Sequence, residues 1–288
     1  MYREALEMLQ LSTKAVVVDC TLGTGGHAGK FLEAMSATGR LIGIDKDQES
    51  LDLVAETLKP FAGRFSLVRN DFSHLDEVLR TLKVEKADAF FFDLGISTRQ
   101  LLDAERGFSF LKTGPLDMRM DRNSFLCASD LVNNLSEIEL EHIFRKFGEE
   151  RFARKIAHDV VALRKSEPLS TTEQLTQIVL RAVPSKALHQ RIHPATRIFQ
   201  ALRIAVNREL EVLQIGIEKA LSHLNPGGRI AVISFHSLED RIVKHTFRDY
   251  SSQGVLELVT KKPLEPGEDE VKENAASRSA KLRVAERI

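Results

Sequence analysis

Residues 15–28 read Ala15-Val16-Val17-Val18-Asp19-Cys20-Thr21-Leu22-Gly23-Thr24-Gly25-Gly26-His27-Ala28. A short β-branched run stops at an acid, turns through three glycines and opens into helix spacing over His27 to Met35. Glycine tolerates positive φ and carries no Cβ, so such a turn lets backbone approach a ligand at a helix start. The next apolar run, Arg40 to Asp45, closes on an acid twenty positions after Gly25. A carboxylate there can accept both hydroxyls of an adenosine ribose.

Working outward, Gln48 to Leu58 has helix spacing, Phe65 to Val68 is a third strand, and Leu75 to Leu82 is a helix. Ala87 to Asp93 is a fourth strand. Apolar strands separated by helices describe a parallel sheet covered on both faces, and right-handed crossovers make it doubly wound. The rhythm stops after Gln100. From Asp103 to Ala205 helix patterns dominate: Ser136 to Phe147, Glu150 to Arg164 and Thr172 to Ala182. A long helix is expected from Pro194 to His223, stopped by Asn225-Pro226-Gly227-Gly228. Arg229 to Phe235 is a fifth strand, and Val255 to Thr260 and Leu282 to Arg287 supply two more. Pro263 to Ser279 reads as a polar loop. The fold class is α/β, with a core at 1–102 and 206–288 interrupted by a helical insertion at 103–205.

The chain has 288 residues, against a prior of roughly 150 per domain. Lys+Arg and Asp+Glu both number 41, which excludes a histone-like polycation. Two cysteines 107 positions apart, Cys20 and Cys127, exclude a disulfide scaffold and a Cys-rich zinc site; no metal is expected. No apolar run reaches the ~18–20 residues of a membrane span and no signal-peptide core opens the chain, so a cytoplasmic protein is expected. Charge is uneven: residues 143–208 hold 13 Lys/Arg against 5 Asp/Glu. That cluster, inside the insertion, suits a phosphate-facing patch.

Two cofactor readings remain open on the glycines alone, because Gly23-Thr24-Gly25-Gly26-His27-Ala28 also fits the looser dinucleotide pattern of NAD enzymes. Asp19 discriminates between them. A carboxylate beside the turn repels a pyrophosphate and suits the ammonium of S-adenosylmethionine. Asp93 ends the fourth strand at the ligand-binding edge. After the third strand, Asp71 could bond an adenine amino group, while spacing alone makes Phe72 core.

The chain resembles the MraW family, bacterial S-adenosylmethionine-dependent methyltransferases. The segments that carry the resemblance are the Asp19–His27 loop, Asp93-Leu94-Gly95-Ile96-Ser97 and Glu105-Arg106-Gly107-Phe108-Ser109-Phe110. Further on come Gly114-Pro115-Leu116-Asp117-Met118-Arg119-Met120-Asp121, His193-Pro194-Ala195-Thr196-Arg197-Ile198-Phe199-Gln200-Ala201-Leu202-Arg203 and Ser234-Phe235-His236-Ser237-Leu238-Glu239-Asp240-Arg241. The resemblance implies a class I, Rossmann-like methyltransferase core with a helical insert. It implies methylation of the exocyclic N4 amine of a cytosine in 16S ribosomal RNA, in the decoding region of the assembled small subunit. It places cofactor contacts at Gly25, Gly26, His27, Asp45, Phe72, Asp93 and Gln100, turning Phe72 into an adenine-stacking residue. It also implies a His-x-Pro-Val-Leu segment before the Glu-Ala-Leu helix, where this sequence opens at Met1-Tyr2-Arg3-Glu4, so the start is expected to be truncated or misassigned.

Candidates for the target base are Asp117, in an unusually polar stretch, and Ser234 and His236, which end the fifth strand. The bland roles are a helix cap for Asp117 and an interior hydrogen-bonder for His236. The target cytosine must be single-stranded or flipped out, and Arg191, Arg197 and Arg203 are the RNA-binding candidates. Helical angles put Arg197 and Arg203 on different faces, so one can meet phosphate and the other an internal carboxylate. The expected partner is the small ribosomal subunit, with no membrane; a homodimer is compatible with the sequence. The competing functions are an NAD-dependent oxidoreductase and a non-catalytic RNA-binding assembly protein.

Overall fold

The computed structural model describes residues 1–11, 16–188, 190 and 192–288. Among the described residues seven strands form one sheet: β1 (Val16–Asp19), β2 (Arg40–Asp45), β3 (Phe65–Arg69), β4 (Ala87–Asp93), β5 (Leu224–Ser234), β6 (Leu256–Leu258) and β7 (Lys281–Arg287). Their order is β3-β2-β1-β4-β5-β7-β6. The first five strands pair in parallel, whereas β7 runs antiparallel between β5 and β6. Alternation along the strands explains why they read as continuous apolar runs. Val18, Ile42, Ile44, Phe90 and Phe92 enter the core on one face, and Val17, Leu41, Ala89 and Phe91 enter the core on the other.

The chain divides into two compact units, residues 1–95 with 210–288, and residues 96–209. The second unit is helical. Its core gathers Phe108, Leu140, Phe144, Ile156, Val160, Val179, Ile198 and Leu202 among others. Ser136 and Thr171 cap their helices reciprocally with Glu139 and Gln174, the S/T-x-x-E/Q spacing legible in the sequence.

Three local expectations change. The expected helix from Pro194 to His223 is two helices, Ala195–Asn207 and Glu209–His223, because Arg208 adopts the left-handed region at φ 51°. Asn225 to Gly228 does end the second of these helices, but it already belongs to β5. The pairing register shifts there, from Ala87↔Leu224 to Ala89↔Arg229. Asp88 pins this irregularity by accepting from Val16 N (2.8 Å) and Asn225 Nδ2 (2.8 Å). The expected loop from Pro263 to Ser279 contains a helix, Glu268–Glu273, and a 3-10 turn, Ala275–Ser279.

Candidate active site

β1, β2 and β4 each end in an acid at the carboxyl edge of the sheet, and the glycine turn runs beside them. Asp19 is buried and accepts from Thr21 N at 3.1 Å. Burial pushes its pKa up to about 8, the backbone hydrogen bond opposing and the Asp93 and Asp45 charges adding to the rise. Thr21 Oγ1 in turn accepts the backbone N–H of Asp93 at 2.5 Å, so the end of β4 is tied to the loop that follows β1. Gly23 (φ +53°) and Gly25 (φ +78°) supply the left-handed turns. At Gly26, where helix Gly26–Ala34 starts, a Cβ would meet nothing within 4 Å, so the backbone there faces open space.

Asp45 holds this turn in place. Its Oδ2 accepts from Gly23 N at 2.8 Å and its Oδ1 from Asp47 N at 2.9 Å. Each carboxylate oxygen keeps a second lone pair for a hydroxyl. Asp45→Ala is therefore expected to do two things at once. It orphans two backbone donors, costing about 1–3 kcal/mol of stability, and it weakens nucleoside binding. Calorimetry with S-adenosylhomocysteine together with a melting curve reads both; unchanged affinity would remove Asp45 from the site.

His27 and Asp93 meet where the glycine turn approaches the end of β4. His27 Nδ1 lies 3.5 Å from Asp93 Oδ2, and the imidazole packs on Phe91 with centroids 4.6 Å apart. Burial, reinforced by the nearby N-terminal ammonium, lowers the His27 pKa to about 4, so the ring is neutral. Burial raises Asp93 to about 7, partly offset by that same ammonium. The two remaining atoms, His27 Nε2 and Asp93 Oδ1, are buried and have no hydrogen-bond partner among the described residues. Assigning the imidazole proton to Nδ1, the nitrogen nearer the carboxylate, leaves both as acceptors, and such orphaned acceptors call for a ligand with N–H donors.

Phe72 follows β3. Its ring meets Phe92 edge-on at 5.4 Å, and a Cβ on Gly216 would come within 2.4 Å of it. The ring is half-buried, so it packs on the core and still presents surface. Asp71 is less available than the sequence suggested. Its Oδ2 lies 2.5 Å from Lys46 Nζ and its Oδ1 accepts from Ser73 N at 2.7 Å. Although burial opposes it, the Lys46 charge holds the Asp71 pKa below its usual value. Lys46 also stands 5.8 Å from the Phe72 centroid. The sequence reading missed Lys46, whose only signal was its place directly after Asp45.

At the end of β5, Ser234 is buried and its hydroxyl turns to the carbonyl of Lys281 on β7 at 3.4 Å. A base-contacting serine would need an open face, and this one has none. His236 caps helix Ser237–Ser252, its Nδ1 accepting from Glu239 N at 3.4 Å. Glu239 reciprocates by accepting from Phe235 N (2.9 Å) and His236 N (3.3 Å). His236 Nε2 is buried, 3.2 Å from Glu239 Oε1 but without hydrogen-bond alignment. The cap was detectable as the spacing His236-x-x-Glu239.

In the helical unit, Gln100 is buried. It forms a reciprocal cap with Ser97: its Oε1 accepts from Ser97 N and its own backbone N–H donates to Ser97 Oγ, each at 3.2 Å. Asp117 is not a helix cap. Its carboxylate is clasped by Arg119, with Nε at 3.0 Å from Oδ1 and Nη2 at 2.6 Å from Oδ2. Burial would raise its pKa, but the Arg119 contacts prevail and hold it low. It is ionised at neutral pH and a weak proton acceptor. The pairing depends on Met118 at φ 63°, a turn that sequence spacing does not announce.

Arg203 makes a bidentate pair with Glu209, Nε–Oε1 and Nη2–Oε2 both 2.9 Å. That geometry takes it out of the phosphate-facing set and makes it the arginine on the internal carboxylate. Arg197 differs. Its side chain is 39% exposed and only 3.8 Å separates Nη1 from Glu150 Oε2, a loose contact. It lines a cavity of about 170 Å³ with Glu150, Arg151, Phe152 and His193. His193 stacks on Phe110 with centroids 4.6 Å apart. Arg191 lies outside the described residues. Part of the cationic excess is structural: Arg145 bonds Glu141 and Arg164 bonds the carbonyl of Val132.

The family profile of the MraW methylases matches residues 1–288. The chain belongs to the MraW methylase family. It is 48% identical over 288 residues to a protein named ribosomal RNA small subunit methyltransferase H from Persephonella marina, covering 100% of this chain and 98% of the relative. A protein of the same name from Geobacter sulfurreducens is 49% identical over 300 residues, covering 99% of this chain and 96% of its own. The MraW chain is an S-adenosylmethionine-dependent methyltransferase, and its pocket fits that cofactor. Three clustered acids and two orphaned acceptors match a ligand carrying an ammonium and a sulfonium. Among the described residues no helix is long and apolar enough to cross a membrane.

Proposed function

We propose that this MraW enzyme methylates the exocyclic N4 amine of a cytosine in 16S RNA of the small ribosomal subunit, in its decoding region, and works in the cytoplasm. The observation that carries the cofactor half is the buried pair His27 and Asp93 with one unpartnered acceptor each. The substrate half is supported by the names of the relatives and by the basic helical insertion.

When bound, S-adenosylmethionine supplies a methyl carbon already activated on its sulfonium. The chain's own residues position the reactants. Asp93 and His27 take the N–H donors of the amino-acid moiety, Asp45 fixes the glycine turn and accepts ribose hydroxyls, and Phe72 lies against the adenine. The parallel pair Asp93↔Ile233 sets the ends of β4 and β5 at one edge, which brings His236 to the cofactor's edge of the sheet. Because its Nδ1 accepts the capping N–H, its neutral form carries the proton on Nε2. That nitrogen is buried 3.2 Å from Glu239 Oε1, so His236 is a positioning residue that orders the end of β5 through its cap. Asp117 fixes its own loop through Arg119, and Ser234 and Arg203 keep interior roles.

The helical unit, residues 96–209, is the RNA-recognition part, with Arg197 facing phosphate. Arg197→Ala should weaken binding of an RNA oligonucleotide and lower the slope of log Kd against log salt by about one. An unchanged slope assigns Arg197 to structure. The function itself is tested by nucleoside mass spectrometry after incubation with unmodified small subunits. N4-methylcytidine is expected; 5-methylcytidine or no product overturns the reading.

A further inference from the structure

Phenylalanine is among the most buried residue types, and 15 of the chain's 16 are at least half-buried; Phe125 alone stands fully exposed, at 102%. It sits in a loop of the helical unit that is tied down on both sides. Arg119 Nη1 donates to the carbonyl of Ser124 at 2.7 Å while the same guanidinium clasps Asp117. Ser124 N bonds the carbonyl of Asp121 at 3.0 Å, and Asn123 N bonds its carboxylate at 2.9 Å. Behind them Met120 N bonds Asn207 Oδ1 at 2.8 Å, and Cys127 N bonds Asp130 Oδ2 at 2.9 Å. Six named contacts, counting both made by Arg119, hold the loop around a ring that is fully exposed among the described residues.

We propose that Phe125 is a nucleobase-stacking residue that positions single-stranded RNA on the helical unit. The inference rests on the RNA-substrate reading above and deepens it. A ring offered by a preorganised loop binds without ordering cost. Stacking suits any base, since each has a π-face. The loop itself argues against a protein partner. Phe125 and the exposed Leu126 are preceded by Arg119, Asp121, Arg122, Asn123 and Ser124, whereas a stable protein interface buries about 800 Å² per partner with an apolar centre. Arg122, half-exposed and 3.9 Å from Asp103, is close enough in sequence to meet the phosphate flanking a stacked base.

The chain contains no tryptophan, so Phe125→Trp places a single tryptophan, excited selectively at about 295 nm or longer, clear of tyrosine, in this loop. Titration with a short single-stranded RNA should quench its fluorescence. Phe125→Ala should raise KM for unmodified small subunits about tenfold, with kcat, the affinity for S-adenosylhomocysteine and the melting temperature retained, and Phe125→Tyr should restore KM. A KM within twofold of the original in Phe125→Ala, or an emission insensitive to RNA, overturns the proposal. So does a blue shift that depends on protein concentration, which would make the loop a contact between copies. If the unaltered enzyme forms no N4-methylcytidine, the underlying substrate reading fails first and takes this one with it; if it forms the product while KM ignores Phe125, only the stacking role falls.

Discussion

Asp93→Asn is expected to weaken S-adenosylhomocysteine binding about a hundredfold at pH 8 and to flatten the fall in affinity below about pH 7. The free protein holds Asp93 near 7, because burial raises it. A bound ammonium favours the carboxylate and lowers that pKa, so binding releases a proton in the window between the bound and free values. Affinity of the unaltered protein is then highest above pH 7 and falls as pH drops below it, by up to tenfold per unit. Asparagine fills the same volume and cannot ionise. It loses a charge-assisted hydrogen bond, worth about 1.5–3 kcal/mol, and the slope with it.

Stability must move the other way, which separates binding from folding. A carboxylate whose folded pKa lies above its unfolded value of 3.8 costs stability once pH exceeds the unfolded value, and the cost is complete above about 7. Asp93→Asn should therefore melt at or above the original temperature at pH 8. A lower melting temperature with affinity unchanged would make Asp93 a structural residue and remove it from the cofactor pocket.

The parts of this pocket that were legible in the sequence are those in which neighbours along the chain are neighbours in space. The glycine turn, the acid closing β2 and the acid closing β4 occupy contiguous words, and parallel pairing brings their ends together without further information. What escaped depends on contacts across the fold. Lys46 neutralises Asp71 across the β2–β3 edge, and Arg203 finds Glu209 only because Arg208 breaks the helix. Arginine has no special taste for the left-handed region, so that break carries no composition signal. The helix Glu268–Glu273 was hidden for the opposite reason: its strongly charged sequence lacks an apolar stripe, and it contains no buried residue. Charge counting fared similarly. The excess over residues 143–208 omits Glu141 and Glu209, which pair with two of the arginines it counts.

Gly107→Ala is expected to cost about 3–5 kcal/mol, lowering the calorimetric melting temperature by about 10 °C. Gly107 has φ +68°, and a Cβ there would stand 2.2 Å from the carbonyl oxygen of Pro115 and 2.7 Å from Asp117 N. Both are backbone atoms of a segment that cannot retreat. Met118 N is bonded to the carbonyl of Arg106 at 3.0 Å, and Leu116 N to that of Ser170 at 2.8 Å. The buried Arg106 guanidinium holds the carbonyls of Arg119 and Met120. This interlock explains why the words Glu105–Phe110 and Gly114–Asp121 occur together, since each is the other's mould. Gly63→Ala is the control. It has φ +83° but nothing within 4 Å of its Cβ, so it should cost only the left-handed penalty of about 1–2 kcal/mol. Equal losses for the two variants would mean that backbone conformation alone matters at Gly107, and that the two segments do not lock each other.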